Sequence, residues 1–284
     1  MPNLALRKKE DLSSFRKIAI GTWQTAYDPS VYGTLDLRVD DAVRYIAEFR
    51  EKTGRRLTMS HLLAKAAGAA LEACPDANAV LRWNRIYLRE RIGVFFQVVM
   101  TDEGDDKIDL SGATLYDVEK MSLLEICDEF ERKVKRVRAR EDPALEKTRS
   151  SFKGIPFFLL NRFLKTLSFF ASTLNLDLRW AGVPSDPFGS IMITNVGTLG
   201  LDVAYVPLVP YSRVPILLAI GAVKDAAVVV DGAITAGKTM SVNATFDHRI
   251  IDGFHAALMS KVLRKHLEKP YESFGPIPAS ALPA

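Results

Sequence analysis

The stretch that decides the reading is Asn243-Ala-Thr-Phe-Asp-His-Arg-Ile-Ile-Asp-Gly-Phe254. Met240, Val242, Ala244 and Phe246 alternate with polar or small residues, the period of a half-buried strand. The charged triplet Asp247-His248-Arg249 falls where that strand should end. Asp252 then stands where a carboxylate caps a helix, and Gly253 leaves room for close backbone approach. A histidine held between a strand end and a helix start is fixed in place, and an imidazole with its ordinary pKa of about 6.5 suits a general base near neutrality.

Working outward, the helix that Asp252 opens runs over 253–269, with Ala257, Leu258, Val262 and Leu267 toward the core. Upstream, SIMITNVG, PILLAIGAV, AAVVVDGAI and KTMSVNATFD read as strands separated by tight Gly and Asp-Gly punctuation, which predicts an antiparallel or mixed sheet. Before them, IYLRE and IGVFFQVVM read as two strands, the second covered on both faces, followed by an acidic turn over 102–106. Three helices complete the pattern. One spans 40–52 and ends before Gly54, with Val43, Ile46, Ala47 and Phe49 on one stripe, after a strand over 33–39. The second starts near Thr58 or Ser60, is rich in alanine, and ends at Pro75. The third is capped by Ser122 with Glu125 three residues on, and turns basic toward its end.

The chain has 284 residues, 48% of them hydrophobic and 25% charged, as in an ordinary globular protein. No internal repeat or low-complexity linker divides it, so residues 1–284 read as one domain. Two cysteines, Cys74 and Cys127, exclude a disulfide framework and have no metal-ligand spacing. His61 and His266 lie at helix ends and read as structural. His248, Asp252 and His255 straddle a loop and a helix start, which is no metal constellation. No metal is expected. The net charge of +4 mixes 38 basic with 34 acidic residues, and the basic run 132–140 reads as a solvated face, so no nucleic-acid partner is expected. Phosphate loops of Walker or Rossmann type are absent. The first residues have neither an apolar signal region nor a lipidation motif, which points to the cytoplasm.

Residues 155–178 are the most apolar part, interrupted by Asn161, Arg162 and Lys165, and too broken for a spanning helix. Two readings stay open: a core or subunit-interface helix, and a helix that contacts a membrane surface or docks a partner.

The segment DHRIIDG resembles the His-x-x-x-Asp-Gly signature of the acyltransferase (E2) catalytic domain of 2-oxoacid dehydrogenase complexes, in the chloramphenicol-acetyltransferase-like group of CoA-dependent acyltransferases. Further matches lie in the same order: SFRKIAIGTW (14–23), LTMSHLLAKAAGAALEACPDANAVL (57–81), RIGVFFQVVMTDEG (91–104), MSLLEI (121–126), ITNVGTLG (193–200) and VPLVPYSRVPILLAIGAV (206–223). Peptide-synthetase condensation domains share the short signature, but usually place a second histidine where this chain has Asp247.

The resemblance implies an α/β fold, a two-layer α+β sandwich in which a mixed sheet is packed with helices. It implies His248 as general base, its tautomer fixed through its own backbone carbonyl. It makes Asp252 a structural carboxylate, with Arg16 the candidate ion-pair partner, and Thr194 the oxyanion donor where the family has serine. Threonine keeps the hydroxyl but adds a methyl and restricts χ1. Asn195, Gly253 and Arg249 are the supporting residues. The substrate implied is acyl-CoA, with an acyl group moving between coenzyme A and a thiol such as dihydrolipoyl. Partners implied are a homotrimer or a larger shell built from trimers, with each site between subunits. The chain shows no lipoyl or subunit-binding domain, so any lipoyl group would come in trans. It also carries an apolar insertion, about 143–187, where relatives have a short connection. Two alternatives remain: an E2-like scaffold without catalysis, and a stand-alone acyltransferase acting on a small-molecule amine or hydroxyl.

Overall fold

The computed structural model describes residues 3, 5–10, 29–101, 108–139 and 157–278. In chain order these form β1 (Leu6–Lys8), β2 (Ser30–Arg38), α1 (Asp40–Thr53), α2 (Met59–Ala73), β3 (Ala79–Arg82), β4 (Arg85–Arg89), β5 (Gly93–Thr101), β6 (Ile108–Tyr116) and α3 (Leu123–Arg138). There follow α4 (Phe157–Ser168), β7 (Ile191–Asn195), β8 (Ile216–Ile220), β9 (Lys224–Val230), β10 (Ala233–Asp247) and α5 (Gly253–Glu268).

Seven strands make one mixed sheet in the order β2-β10-β8-β7-β5-β6, with β9 also on β10. The β5–β7 and β7–β8 pairs are parallel and the others antiparallel. Side chains alternate across a strand, so each strand offers one set to each face. Ile191 and Ile193, Ile216, Leu218 and Ile220, and Val242 and Ala244 fall in one core with α1, α2, α3 and α5. Met192 and Leu217 lie in a smaller cluster with Phe95, Phe188, Val206 and Leu208. Helices on one side of a mixed sheet are the architecture expected. β10 is continuous from Ala233, because the Asp231-Gly232 turn, with φ of 50° and 81°, folds it directly back on β9.

Several local signals are realised. Ser122 and Glu125 form a reciprocal capping box on α3. Gly54 ends α1 with φ of 69°. The small residues of α2 let it pack against α5. Two stripes differ from expectation. On α1 the buried residues are Ala42, Tyr45, Ile46 and Phe49, while Ala47 is exposed, since Tyr45 stacks on Phe49 and brings its ring inside. On α5, Met259, Leu263 and Leu267 are buried and Ala257 is exposed. A small sheet β1-β4-β3 and strand β6 are additions to the sequence reading. The acidic turn at 102–106 lies outside the described residues.

Candidate active site

At the end of β10 the Asp247 N–H donates to the Pro215 carbonyl at 2.9 Å, and the Asp247 carbonyl accepts from the N–H groups of Ile250 (3.0 Å) and Ile251 (2.9 Å). Arg249 closes the same turn, donating from Nε to Oδ1 (2.9 Å) and from Nη2 to Oδ2 (2.7 Å) of Asp247. His248, between them, donates its backbone N–H to the Pro29 carbonyl at 3.0 Å. Its ring Nδ1 lies 2.8 Å from the Ile251 carbonyl oxygen. A carbonyl only accepts, so in the neutral ring Nδ1 carries the proton and Nε2 holds the basic lone pair. The contact is made by the tight turn on Asp247, which brings the Ile251 carbonyl to the ring.

Asp252 caps α5, accepting from the N–H groups of Phe254 (3.0 Å) and His255 (3.1 Å). Its Oδ1 also meets His255 Nδ1 at 2.6 Å. Arg16, the expected partner, lies outside the described residues. His255 is thus a neighbour that the sequence reading set aside, and its signal was position: the third helical residue after a capping carboxylate reaches back to the cap. A Cβ at Gly253 would meet nothing within 4 Å among the described residues, so the close approach expected there involves none of them.

Thr194 stands elsewhere. It pairs with Ala219 of β8, which pairs with Asn243 of β10, so Thr194 is level with Asn243 and not with the strand end at Asp247. At ordinary strand dimensions this puts Thr194 and His248 about 15 Å apart along the strands and about 10 Å across them. Thr194 is half-buried and belongs to the face opposite the main core, since Ile193 beside it enters that core. Asn195 holds the turn that follows, its Oδ1 accepting from the Thr198 N–H at 3.2 Å. Gly197 permits that turn to lie on β8, because a Cβ there would fall 2.5 Å from the Gly221 carbonyl oxygen. The site residues therefore form two separate groups: His248, Arg249, Asp252 and Gly253 just past the end of β10, and Thr194 and Asn195 at the end of β7, level with Asn243. Leu199, Leu201, Val203 and Tyr205 leave apolar surface exposed directly after Thr194.

Sequence comparison matches residues 6–153 and 187–274 to the 2-oxoacid dehydrogenases acyltransferase (catalytic domain) family. The chain belongs to that family. A curated relative, the dihydrolipoyllysine-residue acetyltransferase component of the acetoin cleaving system of Bacillus subtilis (strain 168), is 24% identical over 220 residues, which are 78% of this chain and 44% of that protein. The chain thus spans less than half of that relative's length. The cubic core of the pyruvate dehydrogenase multienzyme complex has the same fold, with a TM-score of 0.64 at 18% identity and 94% of each chain covered. Chloramphenicol acetyltransferase has a TM-score of 0.51 at 14% identity, covering 93% of this chain and all of that one (100%).

The family match stops at 153 and resumes at 187, so the apolar segment lies outside the matched residues. The described part is neither core nor span. Leu159, Phe163, Phe169 and Phe170 are exposed, and no helix among the described residues is long and apolar enough to cross a membrane. Two other reactive side chains of the domain stay outside the chemistry. Burial pushes the Cys127 thiol up to about 12, and burial with the nearby charges of Arg50 and Arg56 pushes His61 down to about 4.

Proposed function

We propose that this domain is a CoA-dependent acyltransferase that moves an acyl group between acyl-CoA and a thiol such as dihydrolipoyl, with His248 as its general base. The observation that carries the reading is the Nδ1 contact of His248 with the Ile251 carbonyl, which leaves Nε2 as the proton acceptor in a half-buried turn. His248 Nε2 takes the proton of the acceptor thiol, and the thiolate adds to the thioester carbonyl. The oxyanion so formed accepts a hydrogen bond from the Thr194 hydroxyl. Collapse of the tetrahedral intermediate breaks the bond to CoA sulfur, and the imidazolium returns its proton to the departing CoA thiolate. Asp247, Arg249 and Asp252 act on this step only through the turn that holds the ring.

Because Thr194 and His248 lie well apart along and across one sheet, they meet only when Thr194 comes from a neighbouring subunit. We therefore read the active form as a homotrimer, or a larger assembly of trimers, with the apolar surface after Thr194 as part of the contact. The lipoyl group is presented by a lipoyl-bearing domain, and we read the setting as the cytoplasm. The test is acyl transfer from acetyl-CoA and a panel of branched and longer acyl-CoAs to free dihydrolipoamide. His248→Ala should lower it by about 10²–10⁴. Wild type as inactive as His248→Ala across the panel, with both folded and oligomeric, would overturn the reading.

A further inference from the structure

We propose that the apolar segment, over its described residues 157–186, is a docking surface for an anionic lipid bilayer. One side of it is fastened to the domain by buried polar contacts. Arg213 donates from Nε to Ser168 Oγ (3.1 Å) and from Nη2 to Thr173 Oγ1 (2.9 Å), and reaches the Leu81 carbonyl with Nη1 (3.1 Å). Arg82 adds two bonds to the Thr173 carbonyl, and Arg89 pairs with Asp186 at 2.6 Å. Held this way, the segment keeps a fixed outer surface.

That outer surface is aromatic and basic. Trp180 is 82% exposed and Trp83, on the β3–β4 turn, is 58% exposed and meets Phe169 edge-on at 5.8 Å. Phe163, Phe169 and Phe170 add large exposed rings. The two acidic residues of the described segment, Asp177 and Asp186, are engaged by Arg179 and Arg89. Arg162 and Lys165, exposed on α4, therefore have no acid of the described segment paired with them. Trp and Phe beside basic residues suit the headgroup region of a bilayer, where the rings enter the acyl boundary and the cations meet lipid phosphates. A second copy is the weaker fit, because two-fold pairing of this face would set Arg162 and Lys165 against their own kind. A helix of 12 residues is about 18 Å long, enough to lie on a bilayer and too short to cross it.

The surface also has a place in the fold. Arg213 stands just before Pro215, whose carbonyl binds the Asp247 N–H, so the segment sits at the His248 end of the sheet. Docking would hold that end of the molecule near the bilayer, whatever the acyl acceptor.

The test is cosedimentation of the full chain with phosphatidylcholine vesicles with and without phosphatidylglycerol, which reads lipid binding and not catalysis. Wild type should bind the anionic vesicles. Arg162→Glu with Lys165→Glu should weaken binding at least about 10-fold, and Trp180→Ala several-fold. Circular dichroism checks folding, with Arg162→Gln and Lys165→Gln as the milder pair. Failure of wild type to bind anionic vesicles would overturn the proposal, as would binding that ignores both vesicle charge and these substitutions. Sedimentation velocity in which the same substitutions split an oligomer would give the face to a second copy and overturn it equally.

Discussion

Arg249 and Asp247 grip each other across the residue between them, His248, through two near-parallel contacts of 2.9 and 2.7 Å. Asp247 is buried and Arg249 only partly so. Removing the guanidinium leaves a carboxylate with little water around it, and it frees the turn that sets the imidazole. Arg249→Gln should cost about 1–2 kcal/mol of stability, discounted for the partial exposure of the pair. Its kcat should fall about 10²-fold, since displacing a catalytic group by 1 Å costs about that much. Urea unfolding and steady-state kinetics check both. Unchanged kcat in the variant would show that the ring is held by the Ile251 carbonyl alone.

Thr194 offers a cleaner contrast. Valine matches its shape and its preference for strands, so Thr194→Val should leave folding intact and lower kcat by about 10²–10³ through loss of one oxyanion donor. Thr194→Ser keeps the hydroxyl and should hold kcat within a few-fold of wild type. KM for acyl-CoA should move little in either. Equal losses in both variants would mean that the side chain packs and does not donate.

The βα unit around His248 was legible because strand period, charged turn and capping aspartate all act within a few residues of one another. The same locality made Ser122–Glu125 and Gly54 readable. β6 was not legible, since Asp109, Ser111, Gly112, Ala113 and Thr114 make much of it small or polar and its pairing to β5 is fixed by tertiary contact. Neither was the separation of Thr194 from His248. It follows from strand order, β7 standing beside β8 and not beside β10, which no local signal carries. The contact of the His248 ring with the Ile251 carbonyl was not legible for a similar reason: it depends on how tightly the backbone folds on Asp247. Exposure of the 157–178 segment likewise could not be read from composition, because an apolar stripe looks the same whether it faces a core or a partner.

His61 supplies a pH test away from the site. It is 3% exposed, packs against Phe96 and Phe130, and stays neutral in the fold down to about pH 4, against about 6.5 in the unfolded chain. Between those values the unfolded state binds more protons, so stability rises with pH. The contribution is complete above about 6.5 and is lost as pH falls toward 4. Comparing unfolding near neutral pH and near pH 4.5, wild type should lose about 2 kcal/mol more than His61→Gln, which keeps a polar side chain but does not titrate. Parallel acid limbs would assign the acid sensitivity to other groups.

The separation of Thr194 from His248 within one chain makes a prediction that neither single variant can. If each active site takes its base from one subunit and its hydroxyl from the next, Thr194→Val chains still provide His248 and His248→Ala chains still provide Thr194. Unfolding the two inactive variants together in equal amounts and refolding them should scatter them at random through the trimers. A site then has a half chance of an intact base and a half chance of an intact hydroxyl, so about a quarter of wild-type activity should return. Mixing without unfolding should restore none while the trimers stay intact. Were both groups drawn from the same subunit, every chain in the mixture would remain defective and no recombination could rescue it. Recovery near a quarter, dependent on subunit exchange, is therefore the outcome expected of a shared site.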